Sequence, residues 1–326
     1  MEMDPMREFD VIDRIREGNS NLSASVIVPP GDDLGALRLP DGGGVVLVGV
    51  DQVISGVHLS HDASPERYAW KVAARSLSDV AAMAACPVGM VVAAALSPRI
   101  GTEWTTRFSS ELQRIGTLFD CPLIGGDIAV LPSQEAPMVF SSTVLAAPDS
   151  RVSNRMVLRD GAKPGDAVCV SGTFGRSLAA DGTGHHLDFT PRIDVGLGLH
   201  RALRDELTSM IDVSDGLGSE LAHLARESHV RIVIDAARIP RRDEASIDQA
   251  LGDGEDYELC FTVSDASRLP RSMAEIPLTV IGTVEQGVGV FLSDGVGRTP
   301  FEPSGWEHRG VRNEEAERSE SKGTSQ

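Results

Sequence analysis

Six short stretches set carboxylates beside glycine or serine at the ends of predicted strands and helices: Gly31-Asp32-Asp33, Val50-Asp51, Ser78-Asp79, Gly125-Gly126-Asp127, Asp212-Val213-Ser214-Asp215-Gly216 and Gly254-Glu255-Asp256-Tyr257-Glu258. Any one of them alone reads as a turn or a helix cap. Together they offer hard oxygen ligands on loops, the donor type Mg²⁺ takes when it bridges phosphates. The glycines let backbone approach a ligand closely. Asp79 stands out, because it falls inside an Ala-rich helix segment, Ser78-Asp79-Val80-Ala81-Ala82-Met83. An acid on a closely packed helix surface either faces water or needs a partner, and a bound cation is one such partner. Asp212 and Asp215 flank Ser214 just before a helix, where backbone N–H groups and a cation could share one anion.

Other chemistries are poorly served. The 326 residues carry 48 Asp plus Glu against 30 Lys plus Arg, a formal net charge of −18. Nucleic-acid affinity rests on basic residues meeting phosphates, so this balance argues against a nucleic-acid binder, and equally against an anionic membrane surface. Lysine occurs only at Lys71, Lys163 and Lys322, and no GxxxxGK[ST] loop is present. Gly172-Thr173-Phe174-Gly175-Arg176-Ser177 has Arg in place of Lys and the wrong spacing for one. There is no GxSxG elbow and no HExxH pair, which disfavours a serine hydrolase and a zinc hydrolase. Cys86, Cys121, Cys169 and Cys260 are far apart, as expected of reduced cysteines in a cytoplasmic protein. No apolar run is long enough for a membrane helix, and the acidic N-terminus lacks the apolar region of a signal peptide.

The elements that must carry these residues follow from periodicity. A short helix is expected over Met6 to Gly18, with strands over Val45–Val50, Met90–Leu96 and Val139–Ala146. Ser64-Pro65-Glu66 starts a helix that should run to about Ala85, where Cys86-Pro87 stops it. A second helix begins at Thr102, with Trp104, Phe108, Leu112 and Ile115 on one face. Past a polar turn at Ala147-Pro148-Asp149-Ser150, strands are expected over Ala167–Ser171, Val230–Asp235, Tyr257–Val263 and Leu278–Val284. Alternation gives the Tyr257 strand one wet face. A helix should cover Gly216–Glu227. This arrangement predicts an α+β chain of two αβ domains, 1–148 and 149–312, and a charged, disordered acidic tail over 313–326.

Taken in order, and with Gly56-Val57-His58, Arg159-Asp160-Gly161-Ala162-Lys163-Pro164-Gly165-Asp166 and Ile211-Asp212-Val213-Ser214-Asp215-Gly216-Leu217 added, the clusters resemble the thiamine-monophosphate kinase family of the aminoimidazole-ribonucleotide-synthetase-like superfamily. The resemblance runs from about residue 8 to residue 308, and the ordered set is far more specific than any one motif. It implies an N-terminal sheet domain with ATP- and Mg²⁺-binding residues and dimerising strands, a C-terminal mixed-sheet αβ domain, and a homodimer. It further implies Mg²⁺-dependent transfer of the ATP γ-phosphate to thiamine monophosphate. By motif match, Asp33, Asp51, Asp79, Asp127, Asp212 and Asp215 would hold metal, with Asp79, Asp127 and Asp215 central to catalysis. Gly126, Asp127, Arg159 and Ser214 would contact the nucleotide, and His58, Glu255 and Trp306 the thiamine phosphate. Donor and acceptor are both phosphates, so the chemistry needs charge neutralisation and positioning rather than an enzyme nucleophile or a strong base.

The chain departs from the family pattern in places. Gly49-Val50 stands where a Ser/Thr-Thr pair often precedes the acid, Ile128 follows the Gly-Gly-Asp motif where Thr is usual, and Asp253 replaces a common glycine. Two rivals within the superfamily lack their hallmark: the first cysteine is Cys86, against the N-terminal Cys or Sec of selenophosphate synthetase, and the chain ends Thr324-Ser325-Gln326, without the C-terminal Cys of the hydrogenase-maturation enzyme. Another ATP-dependent synthetase of the superfamily, or a non-catalytic nucleotide-binding module, stands as the alternative reading.

Overall fold

A computed structural model describes residues 11, 14–16, 18, 22–179 and 181–302. The expected helix at Met6 to Gly18 falls largely outside them, although residues 11, 14–16 and 18 are helical. Trp306 and the acidic tail also lie outside the described residues.

Strands β1 (Val26–Val28), β2 (Gly35–Arg38), β3 (Val45–Ile54), β4 (Ala85–Leu96), β5 (Leu123–Val130) and β6 (Val139–Pro148) form one sheet in the order β1-β2-β3-β6-β4-β5. Its pairs are antiparallel except β4 with β5, which are parallel. A parallel pair needs a crossover, and helix α2 (Thr102–Leu118) supplies it. Helix α1 (Pro65–Ala82) packs on the same face of the sheet. It starts as expected, with the Ser64 hydroxyl accepting from the Arg67 N–H at 3.3 Å and Pro65 in the first turn. It stops earlier than expected, before Ala84 at φ +49°. Cys86-Pro87 is therefore not the helix stop. It belongs to β4, where a register shift between Pro87 and Gly89 accommodates a residue that cannot donate to the ladder.

The second sheet joins β7 (Ala167–Ser171), β8 (Leu207–Asp212), β9 (Arg231–Asp235), β10 (Leu259–Val263), β12 (Ile276–Glu285), β13 (Gly289–Ser293) and β14 (Arg298–Phe301) in the order β14-β13-β9-β12-β7-β10-β8. A two-residue strand, β11 (Ser272–Met273), pairs with β12. The β13–β9 pair is parallel, so the sheet is mixed. Helices α3 (His185–Asp188), α4 (Ile193–Leu203), α5 (Leu217–Glu227) and α6 (Ile247–Gly252) complete the domain.

The expected wet face of the Tyr257 strand is absent. β10 sits between β7 and β8 and all five of its residues are buried. Polar neighbours satisfy one another there: Ser209 and Thr262 hydroxyls lie 2.7 Å apart, and Ser171 donates to Glu258, just before the strand, at 2.6 Å. The strand also begins two residues later than expected, because Glu255 (φ +58°) and Tyr257 (φ +50°) are left-handed and cannot continue a ladder.

The two sheets share a core. Val72, Leu77 and Val80 of α1 belong to one apolar cluster with Leu199, Leu207, Met210 and Phe261 of the second half. Helix α4 approaches α1 so closely that a Cβ at Gly196 would strike the Ala81 carbonyl. α1 is thus the element that ties the halves together, and it carries Asp79 to their junction.

Candidate active site

Three chain segments far apart in sequence meet beside the end of α1. Asp33 comes from the loop after β1, Asp79 from the last turn of α1, and Asp212 from the end of β8. One carboxylate oxygen from each lies within 4.8 Å of the other two. Ser78 donates to Asp212 Oδ2 at 2.6 Å. Arg159 forks onto Asp33, with Nη2 to Oδ1 at 2.6 Å and Nε to Oδ2 at 3.2 Å. Its backbone N–H donates to Asp32 Oδ2 at 3.1 Å.

These acids are held in a costly state. Burial first, then Asp51, Asp212 and Asp33, push the Asp79 carboxyl well above the ordinary carboxylate range. Burial and Asp33 push Asp212 up to about 8. Asp32 rises to about 7 from burial and the charge of Asp33. Glu220, on α5, is raised by burial and Asp215, and accepts from the Asp215 backbone N–H at 3.1 Å. One arginine cannot neutralise so many carboxylates. A divalent cation can, and three hard oxygen donors converging within a few ångströms suit Mg²⁺ or a similar ion.

Asp51 is adjacent but separately engaged. It projects from β3, and its Oδ1 lies 3.5 Å from Arg75 Nη2. Gly49, two residues earlier, replaces a hydroxyl residue of the family pattern. Its missing side chain leaves the space that Leu34 fills: a Cβ there would collide with Leu34 Cδ2.

Beside the acids opens a cleft of about 270 Å³, lined by Asp51, His58, Arg75, Ser214, Asp215, Glu255 and Tyr257, among others. Two loops form its wall. The Glu255 N–H donates to the Ser214 carbonyl at 2.6 Å, and the Tyr257 N–H to the Val213 carbonyl at 2.8 Å. Gly216 (φ +109°) and Gly254 (φ +71°) permit the opposed turns, and a Cβ at Gly254 would press on the Ser214 carbonyl at 2.9 Å. His58 accepts from the Ile54 N–H at 3.0 Å through Nδ1, which fixes its ring at the rim. Behind Glu255 lies the fully buried Lys71, which donates to Glu255 Oε2 and to the His186 carbonyl, the latter at 2.8 Å. Phe189 and Tyr257 stack at 3.8 Å between ring centroids and sit within 5.5 Å of the ammonium.

Of the residues expected in a site, Asp33, Asp79 and Asp212 form the cluster, Arg159 is bound to it, and Asp51, His58, Ser214, Asp215 and Glu255 line the cleft. Gly126 and Asp127 do not join them. They lie on β5, an exposed edge strand. The registers place Asp127 opposite Ala93 and Asp51 opposite Ser142, so about three strand spacings, or roughly 14 Å, separate Asp127 from Asp51 within one chain. Asp32, Lys71, Arg75, Ser78 and Glu220 also belong to the site but were not singled out as site residues from sequence. A signal existed for the two cations: Lys71 and Arg75 precede Asp79 by eight and four residues, which puts all three on one helix face.

The two-domain fold matches known models. Residues 31–147 match AIR synthase related protein, N-terminal domain, and residues 163–295 match AIR synthase related protein, C-terminal domain. The two sheets and the acid-lined junction between them therefore define an AIR-synthase-related protein. The chain is 33% identical to thiamine-monophosphate kinase of Escherichia coli, over 88% of this chain and 94% of that one. It is 32% identical to the Salmonella typhimurium enzyme of the same name, over 92% and 98%. Among solved structures it is similar to AaThiL complexed with AMPPCP and TMP, with a TM-score of 0.77, 28% identity and coverage of 93% of this chain and 97% of that one. A second, thiamine-monophosphate kinase from Stenotrophomonas maltophilia, gives a TM-score of 0.66 at 30% identity, over 90% and 99%. The chain belongs to the thiamine-monophosphate kinase family. The hydrogenase maturation protein HypE in complex with ATP shares the fold, with a TM-score of 0.65 at 17% identity over 83% of this chain and 88% of that one.

Proposed function

We propose that the chain is an ATP-dependent kinase that phosphorylates thiamine monophosphate to thiamine diphosphate, using Mg²⁺. The observation that carries this reading is the convergence of Asp33, Asp79 and Asp212 beside a cleft lined by Ser214, Asp215 and Glu255, in a chain of this family. Bound Mg²⁺ would supply charge neutralisation where two phosphate groups meet.

The chain's own residues do the rest. Asp33, Asp79 and Asp212 would hold the cation, with Asp51 and Asp215 lining the cleft beside them. Ser78 orients Asp212, and Arg159 orients Asp33. Ser214, on the loop before α5, stands where a nucleotide phosphate would meet the start of a helix. His58 and Glu255 face the thiamine moiety, and Glu255 offers a carboxylate to a cationic heterocycle. The acceptor phosphate is already anionic at neutral pH, so no residue needs to act as a strong base. Trp306 keeps the role that the family resemblance implies, whereas Gly126 and Asp127 lie too far along the sheet to serve this cluster within one chain.

A homodimer and a cytoplasmic location complete the reading. The outer face of the first sheet carries Val50 at 62% exposure, and β5 carries Ile124, Ile128 and Val130 at 64–68%. An apolar face and an open edge of this kind are what a second copy would cover. No helix among the described residues is long and apolar enough to cross a membrane.

The test incubates purified protein with ATP, Mg²⁺ and thiamine monophosphate, with free thiamine and aminoimidazole precursors in parallel. Thiamine diphosphate and ADP should form in equal amounts and only with the first acceptor. Turnover of another acceptor would move the chain to a neighbouring activity. ATP-dependent thermal stabilisation with no product from any acceptor would mark a nucleotide-binding module.

A further inference from the structure

The cleft poses an electrostatic problem. Asp51, Asp215, Asp253 and Glu255 line it, yet it would have to admit an anion. Among the described residues that line it, Arg75 is the one permanent cation. His186 is held neutral, its pKa lowered to about 4 by burial and by Lys71. Lys71 itself is fully buried behind the wall and already engaged by Glu255 and the His186 carbonyl.

Arg75 is also incompletely satisfied. Its Nη2 stands 3.5 Å from Asp51 Oδ1, too far for a good hydrogen bond. Its Nε and Nη1 are shielded from water and have no hydrogen-bond partner. Buried donors are almost always paired, and a guanidinium lacking acceptors on two of its three nitrogens is an exception that calls for a reason. The surrounding Asp51, Asp79 and Asp215 keep it charged. It lies one helical turn before Asp79, a member of the acid cluster, and itself lines the cleft.

The geometry points to Arg75 as the residue that binds the phosphate of the acceptor, a phosphate monoester, in this cleft. The assignment rests on the kinase reading above. A phosphate beside the Asp33–Asp79–Asp212 cluster would present oxygens to the cation site on one side and to the guanidinium on the other. Arginine suits this because its planar fork can take two phosphate oxygens at once, which an ammonium cannot. In this arrangement Arg75 selects for the phosphorylated form of the acceptor, while Glu255 and His58 meet its heterocyclic part.

The experiment measures binding of thiamine monophosphate, thiamine and inorganic phosphate to the full chain by calorimetry in Mg²⁺, for the wild type, Arg75→Met and Arg75→Lys. Arg75→Met should weaken thiamine monophosphate and inorganic phosphate by about tenfold or more, and thiamine by less than about twofold. Arg75→Lys keeps the charge but not the fork, and should fall between them even if the Met variant folds poorly. Equal losses for thiamine and its phosphate, or no loss for either, would overturn the assignment, because a packing role does not discriminate between them. A wild type that ignores thiamine monophosphate while Arg75 variants still lose inorganic phosphate would overturn the kinase reading and leave Arg75 as a phosphate-binding residue for another ligand.

Discussion

Asp79 concentrates the chemistry of this chain into one side chain. Burial and the charges of Asp51, Asp212 and Asp33 make its ionised form costly unless a cation is present. Asp79→Asn should therefore abolish turnover. The same change should raise the thermal stability of chelator-treated protein, by an amount on the order of 1–4 kcal/mol if close like charges are relieved at an intermediate dielectric. Added Mg²⁺ should stabilise the wild type more than the variant. Thermal melts with and without chelator check both statements, and a variant with wild-type turnover would exclude Asp79 from the cation site. Gly49 shows the complementary lesson. A departure from the family pattern beside the acids coincides with Leu34 occupying the space a side chain at Gly49 would need, so backbone carbonyls and carboxylates are the oxygen donors there.

At the level of elements, α1 and α4 do most of the positioning. α1 buries Leu77 and Val80 in the shared core while presenting Lys71, Arg75 and Asp79 towards the junction. α4 packs against it and carries His200, whose two ring nitrogens are buried without partners. Burial, then Arg155, lowers the His200 pKa to about 4, with Asp149 and Asp205 opposing and Arg201 reinforcing the shift. Unfolded His200 takes up its proton near pH 6.5, before the folded form does, so the fold loses stability as pH falls from about 6.5 to about 4. The loss should approach roughly 3 kcal/mol at the acid end of that window. His200→Leu should flatten this part of a plot of Tm against pH, and an unchanged slope would show that His200 does not titrate on unfolding.

For the whole molecule, the proposed dimer turns on the outer face of the first sheet. Val50→Glu places a charge on that face without touching the helices behind it. Sedimentation of the wild type should give a dimer, and Val50→Glu should shift the equilibrium towards monomer by about tenfold or more, a change of at least ~1.4 kcal/mol. A monomeric wild type would remove the dimer from the proposal.

Much of this was legible in the chain. Strand and helix periods located most elements, because burial on one face leaves a repeat that survives without neighbours. The Ser64-Pro65 start of α1, the helix from Thr102 and the strand Ala167–Ser171 all follow from such local signals. The ordered acid clusters identified the family, because each motif is a contiguous run. What tertiary structure alone decided lies between segments. Which acids meet depends on α1 packing against both sheets, so Asp33, Asp79 and Asp212 converge while Asp127 stays about three strand spacings from Asp51. β10 lost its expected wet face because apolar clusters cover both of its sides, with Leu259, Phe261 and Val263 in one and Cys260 in the other, and Thr262 found hydroxyl partners there. Arg75 acquired its significance only when the fold left two of its nitrogens buried beside an acidic cleft. A one-dimensional pattern records what each residue needs, and packing determines which need is met.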